Sequence, residues 1–233
     1  MGAQWKHAGR QASATAKGRV FSKLAKEIAI AAKAGADPAS NARLRALVES
    51  AKKHSMPRDT LERAIKKGAG LLDETVHYET VTYEGFAPHR VPVIVECLTD
   101  NKNRTTTSIR IRFRKGQLGT TGTVSWDFAH VGLVDATPPP GADAEEAAIE
   151  AGAQDVEADG DGGFRFYTEP TDVDAVGKAL GARGFLVAAI RIGWRAKNPV
   201  AIADPAARSE VDAFLAELDE DDDVQHIYVA LEA

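Results

Sequence analysis

The chain is poor in the residues that carry most covalent and metal chemistry. Its 233 residues include one cysteine, Cys97, which excludes an intrachain disulfide framework and a cysteine zinc cluster. Cys97 lies in the β-rich run Val93-Ile94-Val95-Glu96-Cys97-Leu98 and reads as a small buried hydrophobe rather than a reactive thiol. No apolar run approaches the roughly 18 residues of a membrane span. The opening Met1–His7 has no apolar stretch of the kind a secretory signal needs. The expectation is a soluble cytoplasmic protein with no membrane partner. The six histidines (His7, His54, His77, His89, His130, His226) are scattered, and neither HExxH, GxSxG nor a dinucleotide fingerprint is present. Catalysis, a metal centre and a bound cofactor are therefore not expected.

What the chain does have is charge, unevenly placed. The formal net charge of -5 would by itself argue against a polyanionic partner. Residues 1–70, however, hold 15 Lys+Arg against 5 Asp+Glu, residues 71–125 hold 7 against 6, and residues 126–233 hold 7 against 23. A basic head on an acidic body suggests that one end is presented to a polyanion, most often nucleic acid.

The head reads as three amphipathic helices. Ala14 to Ala34 contains no proline, and Gly18 is its one glycine. At about 100° per residue, Val20, Phe21, Leu24, Ile28, Ala31 and Ala32 share one side, and Arg19, Lys23, Lys26 and Lys33 form a stripe roughly 80° wide opposite them. Asp37-Pro38 then offers a cap followed by proline at the first helical position, ahead of Leu44, Leu47, Val48 and Ala51. Pro57 opens a third helix with Leu61, Ala64 and Ile65 inward and Gly68 past its end. The cation excess continues through Lys52, Lys53, Arg58, Arg63, Lys66 and Lys67, with few acids between them. A face kept only for solubility mixes both signs, so these residues are candidate phosphate contacts, with Lys6 and Arg10 as a basic arm before the first helix. Trp5 either packs back on the bundle or stacks on a base.

After Gly70 the pattern turns to strands. Thr80–Tyr83 and Val91–Leu98 are separated by a loop over Gly85 to Arg90. Thr105 to Lys115 is ambiguous: Ile109 to Arg114 alternates with period 2 as a strand would, whereas Ile109 and Phe113 at i, i+4 allow a helix. Asn101 to Arg104 is a polar turn that serves either as a helix cap or, through Asn101 and Arg104, as a second nucleic-acid contact. Gly116 to Gly122 is spaced like a phosphate loop but lacks the lysine-serine/threonine ending and reads as an ordinary loop. Thr123 to Phe128 reads as a strand. From Val131 the order is strand, helix, strand, strand, helix, strand, ending at Ile192: the ferredoxin-like split motif. A last helix over Ala206 to Leu218 and a strand over Val224 to Leu231 complete the unit begun near residue 75. Asp219 to Asp223 reads as a solvated acidic turn.

Several stretches are similar to one family. Trp5-Lys6, Gly18 to Leu24, Ala31-Ala32-Lys33 through Asp37-Pro38, Asn41 to Arg45, Met56 to Ile65, Tyr83 to Phe86, Glu96 to Asn101, Asn103-Arg104-Thr105 and Leu118-Gly119 together resemble the YebC/PmpR family of bacterial regulators. A mitochondrial relative of that family is a translational activator of cytochrome oxidase. The resemblance implies an α+β fold of three domains: a three-helix head (1–72) and two ferredoxin-like domains, one (73–130 with 204–233) interrupted by the other (131–203). It favours a helix for Thr105 to Lys115. It implies a nucleic-acid partner, either DNA, as a transcriptional regulator, or ribosomal RNA, as a ribosome-associated translation factor that relieves stalling at proline runs. Helix 3 offers Arg58, Arg63, Lys66 and Lys67 but no Asn or Gln for adenine readout, which suits phosphates better than base edges.

Overall fold

The computed structural model describes residues 14–72 and 77–232. The architecture is α+β, with a helical opening followed by two antiparallel sheets. The chain divides into two compact units. The first comprises the chain up to Lys23 with Val76–Ala129 and Trp194–Ala233. The second comprises Leu24–Thr75 and His130–Gly193.

Helices α1 (Ala14–Ala32), α2 (Ala42–Lys53) and α3 (Arg58–Gly68) appear where the apolar periodicity places them. Ile28, Ala31 and Ala32 of α1, Leu44, Leu47 and Ala51 of α2, and Ala64 of α3 are buried. Two boundary readings change. Asp37 does not cap α2: its carboxylate accepts from the Ala39 amide in a turn, and α2 starts four residues later behind Asn41. Asn41 serves two helices at once. Its Oδ1 accepts from the Leu44 amide at 3.0 Å, and its Nδ2 donates to the carbonyls of Ala31 at 2.8 Å and Gly35 at 2.9 Å. A carboxylate is acceptor-only, so an aspartate cannot close the end of α1 while opening α2. Asn41→Asp keeps the acceptor and loses both donors, and is expected to lower stability by about 1–2 kcal/mol. Thermal unfolding checks this: a midpoint unchanged from wild type would reduce Asn41 to a simple N-cap. The second change is at Gly68, which ends α3 from inside rather than lying past it; Gly70 takes the left-handed position instead (φ 71°).

Helix α2 buries a second side. Ala46, on the flank opposite Leu44 and Leu47, is 3% exposed. Within the second unit α2 lies against α6 (Val173–Ala182), where Ala42 and Ala46 face the small residues Gly177, Gly181 and Ala182 across an open cavity of about 410 Å³.

The sheet of the first unit has the order β3-β1-β2-β8, with β1 (Glu79–Ala87), β2 (Val91–Thr99), β3 (Gln117–Leu118) and β8 (Val224–Val229). The β1–β2 hairpin is longer than the sequence suggests. Pairing continues to Ala87↔Val91, and Pro88–Arg90 alone makes the turn. Strand β2 is an almost unbroken apolar run because both of its faces are covered. Val93, Val95 and Cys97 face Ile109 and Phe113 and the residues Val211, Phe214, Leu215 and Leu218 of α7 (Pro205–Asp219); Ile94 packs with Val124, Phe128 and Ala230 on the other side. Phe113 and Phe214 meet edge to face, with centroids 5.3 Å apart. Cys97 is buried, as expected. The ambiguous stretch is helical, α4 (Lys102–Arg112), capped by Asn101 Oδ1 on the Arg104 amide. The i, i+4 pair Ile109/Phe113 points inward, and the alternating arginines stay out of the apolar core.

Residues 123–127 are not a strand. Glu84 of β1, 6% exposed, claims their backbone. Its carboxylate accepts from the amides of Gly122 (2.8 Å), Val124 (2.9 Å) and Ser125 (2.9 Å). The donors that would enter a sheet ladder are thereby used, and β4 (Phe128–Thr137) begins only after a short 3₁₀ turn over Ser125–Asp127. Burial pushes the Glu84 carboxyl up, but these amide donors outweigh it and hold the group below the usual carboxylate range. Of the glycine-spaced loop only Gly122 takes part; the other two donors, Val124 and Ser125, lie beyond it.

The second sheet has the order β5-β6-β4-β7, built from β4, β5 (Asp155–Ala158), β6 (Phe164–Thr168) and β7 (Leu186–Ala196). This is the strand order of the split βαβ motif. Helix α5 (Ala144–Ala151), capped by Asp143, and α6 cover one face. Their core joins Val134, Ala136, Phe166, Val176, Leu180, Phe185 and Ile190.

Candidate nucleic-acid interface

The cations expected to contact nucleic acid fall into three groups. Lys6 and Arg10, like Trp5, lie outside the described residues.

The second group belongs to the first unit and is engaged with acids. Lys23, with its side chain 15% exposed, donates to the Asp219 carbonyl at 2.6 Å and to its carboxylate at 3.1 Å. It thus sits at the C-terminal end of α7, where a cation complements the helix dipole. Arg19 lies 3.6 Å from Glu220. Arg104 Nη2 reaches both oxygens of Asp223 (3.1 and 2.9 Å) and also Asp100 (3.0 Å). Asn101 is used as the cap of α4. The α1 stripe is therefore split, with its N-terminal part committed to the fold.

These contacts also correct the reading of Asp219 to Asp223 as a solvated turn. Asp221 and Asp223 are 7% and 5% exposed. Asp223 accepts from the Thr105 hydroxyl at 2.7 Å in addition to Arg104. Asp221 accepts from Ser108 and from Arg112 Nε, and Arg112 also donates to the Glu217 carbonyl. Asp221 and Asp223 are the internal counter-charges of α4. Among the described residues no group of three or more His, Cys, Asp or Glu side chains stands close enough to hold a metal ion.

The third group lies in the second unit, and most of it is exposed. Lys33, Lys53 and Lys66 are exposed and, among the described residues, carry no ion pair. Lys52 pairs with Glu49 and Arg58 with Glu62, both within their own helices and mostly exposed; such pairs are weak and readily exchanged for phosphate. Arg63 is exposed, and Lys26 and Lys67 are half-buried. On α3, Arg63, Lys66 and Lys67 project opposite the Leu61/Ala64/Ile65 side. Lys52 and Lys53, and Lys66 and Lys67, occupy the last turns of α2 and α3, where they also favour the helix dipole.

Two residues of this surface escaped the sequence reading. Arg43 and Arg45 of α2 are exposed and, among the described residues, carry no ion pair. Their signal in the sequence is that both flank the Leu44/Leu47/Ala51 stripe. Besides Lys52 and Arg58, the cations that the helical segment of this unit brings to solvent are Lys33, Arg43, Arg45, Lys53, Arg63 and Lys66. Such an array can neutralise several phosphates, but it contains no nucleophile, paired acid or metal ligand set.

The chain is similar to known proteins over nearly its whole length. Residues 2–71 match the model of the TACO1/YebC protein N-terminal domain, and residues 78–231 match the TACO1/YebC second and third domain. A protein of Pseudomonas syringae pv. tomato named "Probable transcriptional regulatory protein" is 62% identical over 232 residues, covering 99% of each chain. A similarly named protein of Bdellovibrio bacteriovorus is 48% identical over 234 residues, covering 99% of this chain and 100% of that one. The crystal structure of a conserved hypothetical protein from Aquifex aeolicus superposes with a TM-score of 0.83 at 40% identity, covering 99% of this chain and 96% of that one. With both family models matched over nearly the whole length, the chain belongs to the TACO1/YebC family.

Proposed function

We propose that this protein is a cytoplasmic regulatory factor that binds nucleic acid, acting as a DNA-binding transcriptional regulator. Its affinity is dominated by phosphate contacts from the helical head. The observation that carries this reading is the set of exposed cations Lys33, Arg43, Arg45, Lys53, Arg63 and Lys66 on the one segment of the chain with a large positive balance. The names of the relatives point the same way. Among the described residues no helix is long and apolar enough to cross a membrane, and nothing in the proposed role calls for a cofactor or a catalytic step.

Fluorescence anisotropy with a duplex of mixed sequence, titrated across salt, tests the reading. Each phosphate neutralised contributes about 0.9 to the slope of log K against log salt. The triple variant Lys33→Ala/Lys53→Ala/Lys66→Ala is expected to flatten that slope by about 2 to 3 and to weaken binding at low salt most. Salt-insensitive binding, or an unchanged slope in the variant, would reject the head as the interface. Strong preference for promoter DNA over random duplex supports the transcriptional role. Co-sedimentation with ribosomes, with no duplex preference, would replace it with the translational one.

A further inference from the structure

Among the described residues, Trp126 is the largest side chain left outside the cores. It is 69% exposed, yet its surroundings are rigid. The indole Nε1 donates to the Thr123 carbonyl at 3.0 Å, which fixes the ring on its turn. The turn is pinned from both ends. Buried Glu84 holds the amides of Gly122, Val124 and Ser125, and Asp127 accepts from Asn198 Nδ2 at 2.7 Å while its carbonyl accepts from the Lys197 amide at 2.9 Å. The Lys197 ammonium, on an exposed residue, lies 2.9 Å from the Trp126 carbonyl. A pre-oriented indole with an ammonium beside it matches the two chemistries of an unstacked nucleotide, a π-face and a phosphate. A duplex offers no free base face, so the partner of such a ring is single-stranded.

We infer that Trp126, with Lys197, forms a stacking platform for an unpaired base of single-stranded DNA or RNA, separate from the phosphate contacts of the helical head. The inference rests on the nucleic-acid reading above and adds the form of the ligand. Affinity for labelled oligo(dT) and oligo(U) of about 20 nucleotides, and for a duplex of similar length, is measured with full-length wild type, Trp126→Ala and Trp126→Phe. Trp126→Ala is expected to weaken single-strand binding about tenfold and to leave the salt slope unchanged, because no charge is removed. Trp126→Phe, which keeps a stacking ring, should lie close to wild type, and duplex binding should not move. Thermal unfolding verifies that both variants are folded. A larger loss on oligo(U) than on oligo(dT) assigns the platform to RNA, and the reverse assigns it to single-stranded DNA. If wild type binds but Trp126→Ala binds every ligand equally well, the platform is refuted, the head interface stands, and the ring belongs to a protein contact. An equal loss on duplex and single strands also refutes stacking. If wild type binds none of the three, both the platform and the nucleic-acid reading fall.

Discussion

Replacing Gly68 with alanine is expected to destabilise the helical head by about 3 kcal/mol, at the upper end of what overpacking usually costs. A Cβ on Gly68 would lie 2.0 Å from the Ala29 carbonyl oxygen and 2.7 Å from the Ala29 carbonyl carbon and Cα. Those atoms are backbone in the middle of a turn of α1, so no rotamer change relieves the clash. Either α3 must move away from α1 or the end of α3 must unwind. The usual gain of alanine over glycine in a helix, up to about 1 kcal/mol, is too small to compensate. Gly18 makes the control. It lies within α1, is exposed, and has nothing within 4 Å of its added Cβ. Gly18→Ala is expected to stabilise by up to about 1 kcal/mol. Urea unfolding of the two variants should move the midpoint in opposite directions. A Gly68→Ala protein as stable as wild type would mean that α1 and α3 do not approach so closely in solution.

The sequence places Gly18 inside a helix and Gly68 past the end of one, and nothing in it shows that Gly68 lies within α3 against the backbone of α1, which marks where local reading stops. Apolar periodicity placed α1, α2 and α3 because burial of one side is written into each helix. It could not choose between Asp37 and Asn41 as the start of α2, since the choice turns on two donors needed by the end of the preceding helix. It could not choose between strand and helix for α4 either. Its arginines alternate by accident of spacing, and the deciding contacts of Ile109 and Phe113 are with α7, a hundred residues on. The turn at 123–127 follows a carboxylate on β1 rather than its own β-rich composition. The charge pattern was legible in sign and misleading in address. Lys23 and Arg104 look as free as Lys53 and Lys66, and Asp221 and Asp223 look as solvated as any acidic run. In the fold Lys23 is paired with Asp219 of α7, and Asp223 and Asp221 are paired with Arg104 and Arg112 of α4. Part of the acidic excess of the C-terminal half is therefore consumed internally, and part of the basic excess of the head with it. What remains on the head is a smaller set of open cations, and that set is the better candidate for phosphate.

Asp135 is where the acidic half carries its most consequential internal charge, and its neutral variant is expected to cost the second unit about 3–5 kcal/mol at neutral pH. The residue lies on β4 opposite Arg165 of β6 in the strand register. Arg165 donates through Nε at 2.6 Å and Nη2 at 3.1 Å, and Arg191 of β7 donates through Nη1 at 2.8 Å. The three side chains are 14–21% exposed. Burial pushes the Asp135 carboxyl up, but the attraction of Arg191 and Arg165 and their hydrogen bonds outweigh it, and the group stays well below the usual carboxylate range. Asp135→Asn keeps the shape and one acceptor oxygen but removes the carboxylate charge that the two guanidinium groups share. The pH dependence follows from the depressed value. In the unfolded chain the carboxyl titrates near about 3.9, so the charged native form contributes its full stabilisation above that pH and loses it progressively as acid drives the pH down through the folded value. Wild type and Asp135→Asn should therefore differ most at neutral pH and converge below about pH 4, as read from urea unfolding followed by far-UV circular dichroism. A gap that stays constant from neutral pH into that acid range would show that the loss comes from packing rather than charge. Asp135→Glu, which keeps the charge on a longer arm, would then be as damaging as the asparagine; if charge is the source, it recovers part of the stability and restores the acid dependence.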